Sequence, residues 1–147
     1  MSITINAAQP HDLPAMLDLL SRHQLPHDGL AAHLGTALVA ADGAVVGCAA
    51  LEVYAEAALL RSVAVAPAQQ GHGLGGQLTQ AALDLARQYG VNRVYLLTTT
   101  AETYFPRFGF QPIARAEVAP SVRVSAEFTG ACPDSAIVLT LGMRDEE

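Results

Sequence analysis

The sequence has no lysine and only two cysteines, and each shortage narrows the functions that the chain can have. All eight basic residues are arginines, and against 14 acidic residues they leave a formal net charge of −6. Because this balance repels phosphate backbones, the composition argues against nonspecific nucleic-acid binding. Cys48 and Cys132 lie far apart without a CxxC pair. We therefore expect reduced thiols, with no metal site and no disulfide framework.

Long apolar runs are also missing. No uninterrupted apolar stretch reaches the roughly 18 residues that a membrane-spanning helix needs. Residues 1–4 lack the basic and then apolar order of a secretion signal. We expect a soluble, cytoplasmic protein without a membrane partner. The chain is nevertheless 51% apolar over 147 residues, which is enough to bury the core of one domain spanning 1–147.

Apolar periodicity and turn residues predict an alternation of strands and helices. Asp42-Gly43 is a strong hairpin turn between two antiparallel strands. The predicted strands are 2–6, 37–41, 45–54, 59–66, 91–98, a segment ending at 113, and 135–141. The predicted helices are 12–23, a short piece at 30–34, 74–89, 101–108 and 119–128; in the last segment the apolar residues also alternate as in a strand, but Pro120 near its start favours a short helix.

The segment 70–76, Gln-Gly-His-Gly-Leu-Gly-Gly, lies between a predicted strand and the best-defined predicted helix. Small residues let consecutive backbone N–H groups approach an anion, and the helix N-terminus adds the positive end of a dipole. This pattern predicts a phosphate or pyrophosphate site. A tight turn that holds nothing is the alternative, but four glycines cost backbone entropy that such a turn does not require.

Two common phosphate motifs do not fit this loop. A P-loop requires a lysine at the start of the helix, and the chain has none. Gly71, Gly73 and Gly76 match GxGxxG, but a dinucleotide-binding fold places that motif after its first strand and needs an acidic residue about 20 positions later. Here several predicted strands come first, and 94–98 is followed by threonines. The sequence therefore disfavours both ATP hydrolysis by a P-loop and dinucleotide binding.

The loop instead resembles the signature of the GCN5-related N-acetyltransferases, which use acetyl-CoA. Gln70, Gly73 and Gly75 match its pattern of Gln or Arg, two residues, Gly, one residue, and Gly or Ala. A strand and proline at 63–67 precede it, and an aromatic residue followed by three residues and Gly-Phe ends 101–110 as in that family. The resemblance implies an α/β fold with a mixed, mostly antiparallel central sheet flanked by helices. It also implies acetyl transfer to the primary amine of a small molecule, and a homodimer is common in the family.

The resemblance further implies where CoA binds. The strand matching 59–66 should splay from the strand matching 91–98, with the pantetheine arm between them and the pyrophosphate on the glycine loop. The implied cofactor-binding residues are Val63, Val65, Gln70, Gly71, His72, Gly73, Leu74, Gly75, Gly76, Thr98 and Phe105. His72 is equally explained as an exposed loop histidine, and Thr98 stands where the family often has asparagine.

Amine attack on a thioester needs a neutral nucleophile, a stabilising N–H group and a proton for the leaving thiolate. The family often supplies that proton from a tyrosine at the position of Phe105, which cannot donate one. Tyr104, Tyr54 or a water can replace it. The CoA thiolate can also leave unassisted, because cysteine-like thiols ionise at about pH 8.5.

Strand alternation places Cys48, Ala50, Glu52 and Tyr54 on one face. Glu52 is the one acid among small neighbours. It is a candidate base or counter-ion for the substrate ammonium, or a solvated glutamate on an edge strand.

Arg61 and Ser62 interrupt an apolar strand that leads to the expected acetyl position. Arg61 can bind a substrate carboxylate, phosphinate or arsinate through two N–H groups, or form a surface salt bridge with Glu52 or Glu56. We assign no role to Arg107.

A narrower resemblance links 60–65, 97–101 and the tail 115–136 to short acetyltransferases of arsenic-resistance operons. Related enzymes acetylate the α-amino group of the glutamate-like toxins arsinothricin and phosphinothricin. This resemblance makes Arg61, Ser62, Arg115 and Ser135 candidates for binding the acidic end of such a substrate. Cys132 is a candidate ligand of trivalent arsenic, although a lone thiol is more simply a small buried apolar residue.

Two other functions stay open at this point. A noncatalytic CoA-binding sensor or assembly subunit is motivated by Phe105. Acetylation of a protein or peptide amine would require an open groove rather than a closed pocket.

Overall fold

The computed structural model describes residues 3–133 and 135–143, and in that part of the chain seven strands form one sheet. The strands are β1 (Thr4–Ala7), β2 (Ala37–Ala41), β3 (Val45–Tyr54), β4 (Ala57–Val65), β5 (Arg93–Thr98), β6 (Gln111–Pro112) and β7 (Ile137–Gly142). The α-helices are α1 (Leu13–Arg22) and α2 (Leu74–Gln88). Short 3-10 helices span Pro10–Asp12, Leu30–Thr36, Pro67–Gln69, Phe105–Phe108 and Arg115–Glu117, and a π-helical turn spans Glu127–Ala131.

The sheet order is β1-β2-β3-β4-β5-β7-β6. Every neighbouring pair is antiparallel except β4 and β5, which run parallel. The predicted mixed, mostly antiparallel sheet flanked by helices is therefore confirmed. No helix among these residues combines the length and apolar character needed to cross a bilayer.

The two helices cover opposite faces of the sheet because successive side chains of β3 point in opposite directions. Ala49 and Leu51 pack in the core beneath α2. Cys48 and Ala50 pack with Met16 and Leu20 of α1. Burial of each large apolar side chain contributes about 1.5–3 kcal/mol, so both helices are fixed mainly by packing.

The neighbouring strands β4 and β5 pair over three positions and then separate. The paired positions are Ala57–Arg93, Ala58–Val94 and Leu59–Tyr95. Further along β4, Ser62 and Val63 both lie opposite Ala49, which is a β-bulge, and Ser62 has a φ of 62°. Such a bulge bends its strand and increases the local twist. The predicted splay between these two strands is therefore present.

Several predicted boundaries were wrong. The strand predicted at 59–66 is β4, 57–65, and the one predicted at 91–98 begins at 93. The helix predicted at 101–108 is reduced to Phe105–Phe108. The first predicted strand, 2–6, spans 4–7, and Ser2 lies outside the described residues.

The helix predicted at 119–128 was also wrong. The chain there makes a series of turns, with hydrogen bonds from the N–H groups of Val122 and Arg123 to the carbonyls three residues earlier. Val122 is buried and Val124 is exposed. Val122 packs with Leu59 and Tyr95 of the sheet, and this tertiary contact outweighs the weak helix preference of the segment.

Candidate active site

The divergence of β4 and β5 opens a cleft of about 860 Å³. Its walls are β4 from Leu60 onward, the glycine loop with the start of α2, and the carboxyl end of β5. The segments 23–26, 104–108 and 127–136 contribute further side chains. A cleft of this size, formed where strands separate, is the usual form of a small-molecule site.

One end of the cleft is formed by the glycine loop. Gly71 and Gly73 have φ values of 85° and 82°, and no described atom lies within 4 Å of the position that a Cβ would take. Gly73 is the residue that precedes the first turn of α2. Gln70 donates from Nε2 to the carbonyl of Val65 at 3.1 Å, which ties the loop to the end of β4. The backbone N–H groups and helix N-terminus of this loop suit an anion.

Most of the predicted cofactor-binding residues line the cleft. They are Val63, Val65, Gln70, Gly71, Gly73, Leu74, Gly75, Gly76, Thr98 and Phe105. His72 is exposed and is not among the lining residues. Thr98 accepts the N–H of Ala101 at its Oγ1 (2.8 Å) and so fixes the chain after β5.

An aromatic group closes the cleft beside α2. Phe105 is buried and packs edge-on against Tyr104 and Phe110. The Tyr104 hydroxyl lies 3.5 Å from the position that a Cβ on Gly75 would take, at the first turn of α2. The structure therefore places Tyr104 beside the glycine loop. Its role as proton donor stays a prediction.

Arg107, to which the sequence analysis assigned no role, also lines the cleft. Its guanidinium carbon lies 4.2 Å from the centre of the Tyr104 ring, and its Nε donates to the Tyr104 carbonyl (2.9 Å). The stacked guanidinium therefore adds positive charge at the end of the cleft that already favours anions.

The opposite end of the cleft contains Arg61, whose side chain is fully buried. Among the described residues, four of its five N–H donors have acceptors. Nε donates to Ser62 Oγ (2.9 Å), Nη1 to Glu52 Oε2 (2.8 Å) and the Asp28 carbonyl (2.6 Å), and Nη2 to the Pro26 carbonyl (3.1 Å). The predicted salt bridge with Glu52 is present, but it is buried, so the prediction of a surface pair was wrong.

Glu52 is 1% exposed and does not line the cleft. The Tyr54 hydroxyl donates to its Oε1 at 2.5 Å, and His33 Nε2 lies 3.8 Å away. Burial acts to raise the pKa of Glu52, but hydrogen bonds from Tyr54, Arg61 and Ser125 hold that pKa below its ordinary value. Glu52 is therefore a buried, charged partner of Arg61, and the expectation of a solvated edge residue was wrong.

Replacement of Tyr54 by phenylalanine is expected to lower the free energy of unfolding at pH 7 by about 1–2 kcal/mol, because the Glu52 carboxylate loses a buried donor. The pKa of Glu52 is lower in the folded chain than its ordinary value of 4.5, so the ionised carboxylate stabilises the fold above about pH 4.5. This contribution is lost as the pH falls below that value through the lowered pKa. The variant should therefore lose less stability than the wild type on acidification. Urea unfolding between pH 3 and pH 7 measures both effects.

Tyr89→Phe is the matched control, because Tyr89 is 52% exposed on the surface. Its stability should change by no more than about 0.5 kcal/mol. Equal stabilities for the two variants would contradict the assigned role of the Tyr54 hydroxyl.

Two residues of the C-terminal segment line the cleft without having been predicted to do so. Glu127 is 4% exposed, and its Oε2 lies 3.3 Å from Arg61 Nε. Cys132 is half-buried and makes a side-chain hydrogen bond to Glu127; burial and that carboxylate raise the pKa of its thiol to about 12. Glu127 is a lone acid among small and apolar residues, which is the signal that could have identified it.

The four residues predicted to bind the substrate divide into two pairs. Arg61 and Ser62 line the cleft, whereas Arg115 and Ser135 are not among the lining residues. Arg115 donates from Nη2 to the Ala136 carbonyl (3.2 Å), and its guanidinium carbon lies 5.6 Å from the centre of the Phe128 ring. The structure therefore brings only the first pair to the cleft wall.

Comparison with known proteins gives the family. The sequence pattern of the "Acetyltransferase (GNAT) family" matches residues 6–110. An amino-acid acetyltransferase of Mycobacterium tuberculosis is 41% identical over 81 residues, which are 54% of this chain and 46% of that protein. One from Pasteurella multocida is 30% identical over 122 residues, which are 75% of this chain and 27% of that protein. The chain thus spans less than half the length of these curated relatives.

Solved structures show the same fold. Rv2747 from Mycobacterium tuberculosis, crystallised with CoA, aligns with a TM-score of 0.78 at 25% identity, over 95% of this chain and 98% of that one. N-acetylglutamate synthase from Neisseria gonorrhoeae, crystallised with coenzyme A and N-acetyl-glutamate, aligns with a TM-score of 0.83 at 24% identity, over 99% of this chain and 36% of that one. The splayed strands, the glycine loop and the match over residues 6–110 together make this chain a member of the GNAT acetyltransferase family, whose usual acetyl donor is acetyl-CoA.

Proposed function

We propose that the chain transfers the acetyl group of acetyl-CoA to the α-amino group of a small acidic amino acid. The observation that carries this proposal is one continuous cleft with the glycine loop at one end and a buried pair of opposite charges, Arg61 and Glu127, at the other. The relatives named amino-acid acetyltransferases support an amino acid as the substrate, and the similar N-acetylglutamate synthase was crystallised with N-acetyl-glutamate.

The residues of the cleft fit CoA. The glycine loop can receive its pyrophosphate, since Gly71 and Gly73 have no side chain and the space at each of their Cβ positions is open. Ala66 donates its N–H to Val46 on β3, so the N–H of Val65, one residue earlier, points toward the opening between β4 and β5. That edge can bond the amides of the pantetheine arm. When bound, acetyl-CoA supplies an acetyl group activated as a thioester.

The end of the cleft opposite the glycine loop has side chains of both charges. It therefore suits an amino acid, which carries an ammonium group and a carboxylate. Arg61 offers a buried positive charge, and Glu127 offers a carboxylate beside it. A substrate carboxylate or phosphinate would lie toward Arg61 and the ammonium group toward Glu127, because each charge then meets its opposite in a region of low dielectric. Glutamate, phosphinothricin and arsinothricin share this chemistry, and all three belong to the proposed substrate class.

Phe105 motivates the competing function of a noncatalytic CoA-binding subunit, because its ring cannot donate a proton. The CoA thiol is acidic enough to leave as the thiolate without help. Phe105 therefore does not exclude turnover.

The experiment is thiol release from acetyl-CoA by the purified chain, with glutamate, phosphinothricin, a polyamine, an aminoglycoside and a lysine peptide as acceptors. We expect turnover with glutamate or phosphinothricin alone, and calorimetric binding of acetyl-CoA. Tight binding without turnover on any acceptor would favour the noncatalytic function. Preference for the peptide or the polyamine would overturn the proposed substrate class.

A further inference from the structure

Glu127 is positioned by an unusual local backbone. It begins the π-helical turn Glu127–Ala131, its N–H donates to Ser125 Oγ (3.1 Å), and Gly130 takes a φ of 139°. Turns of this kind occur often at functional sites. Here the turn holds an almost fully buried carboxylate against the wall of the cleft.

The Arg61 guanidinium lies between two carboxylates that differ in their access to the cleft. Its Nη1 contacts Glu52 at 2.8 Å, and its Nε lies 3.3 Å from Glu127. Glu52 accepts hydrogen bonds from Tyr54, Arg61 and Ser125 and does not line the cleft. Glu127 does line it. Of the two carboxylates, only Glu127 is placed where a substrate can touch it.

The charges around Glu127 suit the transfer of a proton. Burial is the largest influence and raises its pKa, and the negative charges of Glu52 and Asp28 act in the same direction. Arg61 and the hydrogen bond from Cys132 lower it, but the net pKa is about 7. A proton acceptor is most effective when its pKa is close to the working pH.

We propose that Glu127 accepts the proton that the substrate ammonium group must lose before its nitrogen can attack the acetyl group. The inference rests on the proposed function. One N–H bond of the ammonium group breaks, and its electron pair stays on nitrogen as the lone pair of the nucleophile. The proton forms an O–H bond with the Glu127 carboxylate, and the resulting carboxylic acid returns it to water at the cleft opening.

The test is Glu127→Gln, which keeps the size of the side chain and an oxygen that can accept from Arg61. We expect kcat/KM for the amino-acid substrate at pH 7 to fall by about 100-fold or more. The Kd of acetyl-CoA, measured by calorimetry, should change by no more than about twofold. Wild-type kcat/KM should rise as the pH passes through about 7, and this rise should be absent in the variant. The separate rise of kcat/KM that comes from deprotonation of the substrate's own amine should remain in both the wild type and the variant.

Glu117→Gln is the matched control, because Glu117 is exposed on the same C-terminal segment and does not line the cleft. It should keep the wild-type profile. A folded Glu127→Gln protein that retains the rise near pH 7 would overturn the inference and leave the proposed function intact. So would a raised KM at unchanged kcat, because that result would mean that Glu127 only binds the ammonium group. Absence of acetylation by the wild type would instead overturn the proposed function, and the inference with it.

A second measurement needs no substrate. A carboxyl whose pKa is raised in the folded state stabilises the fold at low pH, and that stabilisation is lost as the pH rises through the folded pKa. The wild type should therefore lose stability between about pH 4.5 and pH 7 relative to Glu127→Gln. If the glutamine variant does not fold, Glu127→Asp should retain the rise near pH 7 with a lower kcat. An aspartate variant without that rise would count against Glu127 as the acceptor.

Discussion

Replacement of Arg61 by alanine is expected to lower the free energy of unfolding by about 3–5 kcal/mol, because it leaves the Glu52 carboxylate buried without its opposite charge. The same change removes the donors to the Pro26 and Asp28 carbonyls. Lysine should restore little of this loss, since an ammonium group cannot reproduce the planar set of donors that a guanidinium presents. Chemical denaturation at pH 7 measures the effect.

Arg87→Ala is the control for this prediction. Arg87 pairs with Asp84 on α2, but the two side chains are 47% and 59% exposed. Exposed pairs contribute about 0–1 kcal/mol, so the control should lose little stability. Similar losses for the two alanine variants would refute the view that burial makes the Arg61 pair costly to break.

Introduction of a carboxylate into the glycine loop is expected to cause the largest loss of cofactor binding. Gly73→Asp would place a negative charge at the residue that precedes α2, where it competes with the phosphates for the same N–H groups and repels them. We expect the Kd of CoA to rise by about 30- to 150-fold, or about 2–3 kcal/mol. The fold should persist, because aspartate is favoured at the start of a helix and tolerates a positive φ better than most residues. Isothermal titration of CoA measures the change.

Gly43→Asp separates the effect of charge from that of backbone strain. Gly43 has a φ of 96° in the turn between β2 and β3, with no described atom within 4 Å of its Cβ position. Both variants therefore carry a similar conformational cost, but only Gly73 lies at the cleft. Equal CoA affinities for the two variants would exclude the glycine loop as the phosphate site.

The cofactor half of the site could be predicted from the sequence because its residues are close together in the chain. The glycine loop follows directly after β4, and glycines are required there for a local reason, the positive φ of Gly71 and Gly73. The predicted helix after the loop and the splay of β4 from β5 were both confirmed.

The end of the cleft around Arg61 and Glu127 depends on contacts between segments that are far apart in the chain. A local sequence pattern does not predict such contacts. Arg61 can be buried because it has partners from distant parts of the chain: the carbonyls of Pro26 and Asp28 and the carboxylate of Glu127. A strand pattern can show that a charged residue interrupts an apolar run. It cannot show whether that residue faces solvent or a partner, since the partner is chosen by the tertiary fold.

The hydrogen bonds from Arg61 to the carbonyls of Pro26 and Asp28 hold the loop before β2 in one position. The loop between α1 and β2 forms one wall of the cleft, and its backbone is anchored to a buried side chain of the central sheet. The entropy of ordering this wall is lost once, when the chain folds, and not again at each binding event. We therefore expect this wall to limit the size of the substrates that the cleft accepts, because a larger molecule could displace it only by breaking the hydrogen bonds from Arg61.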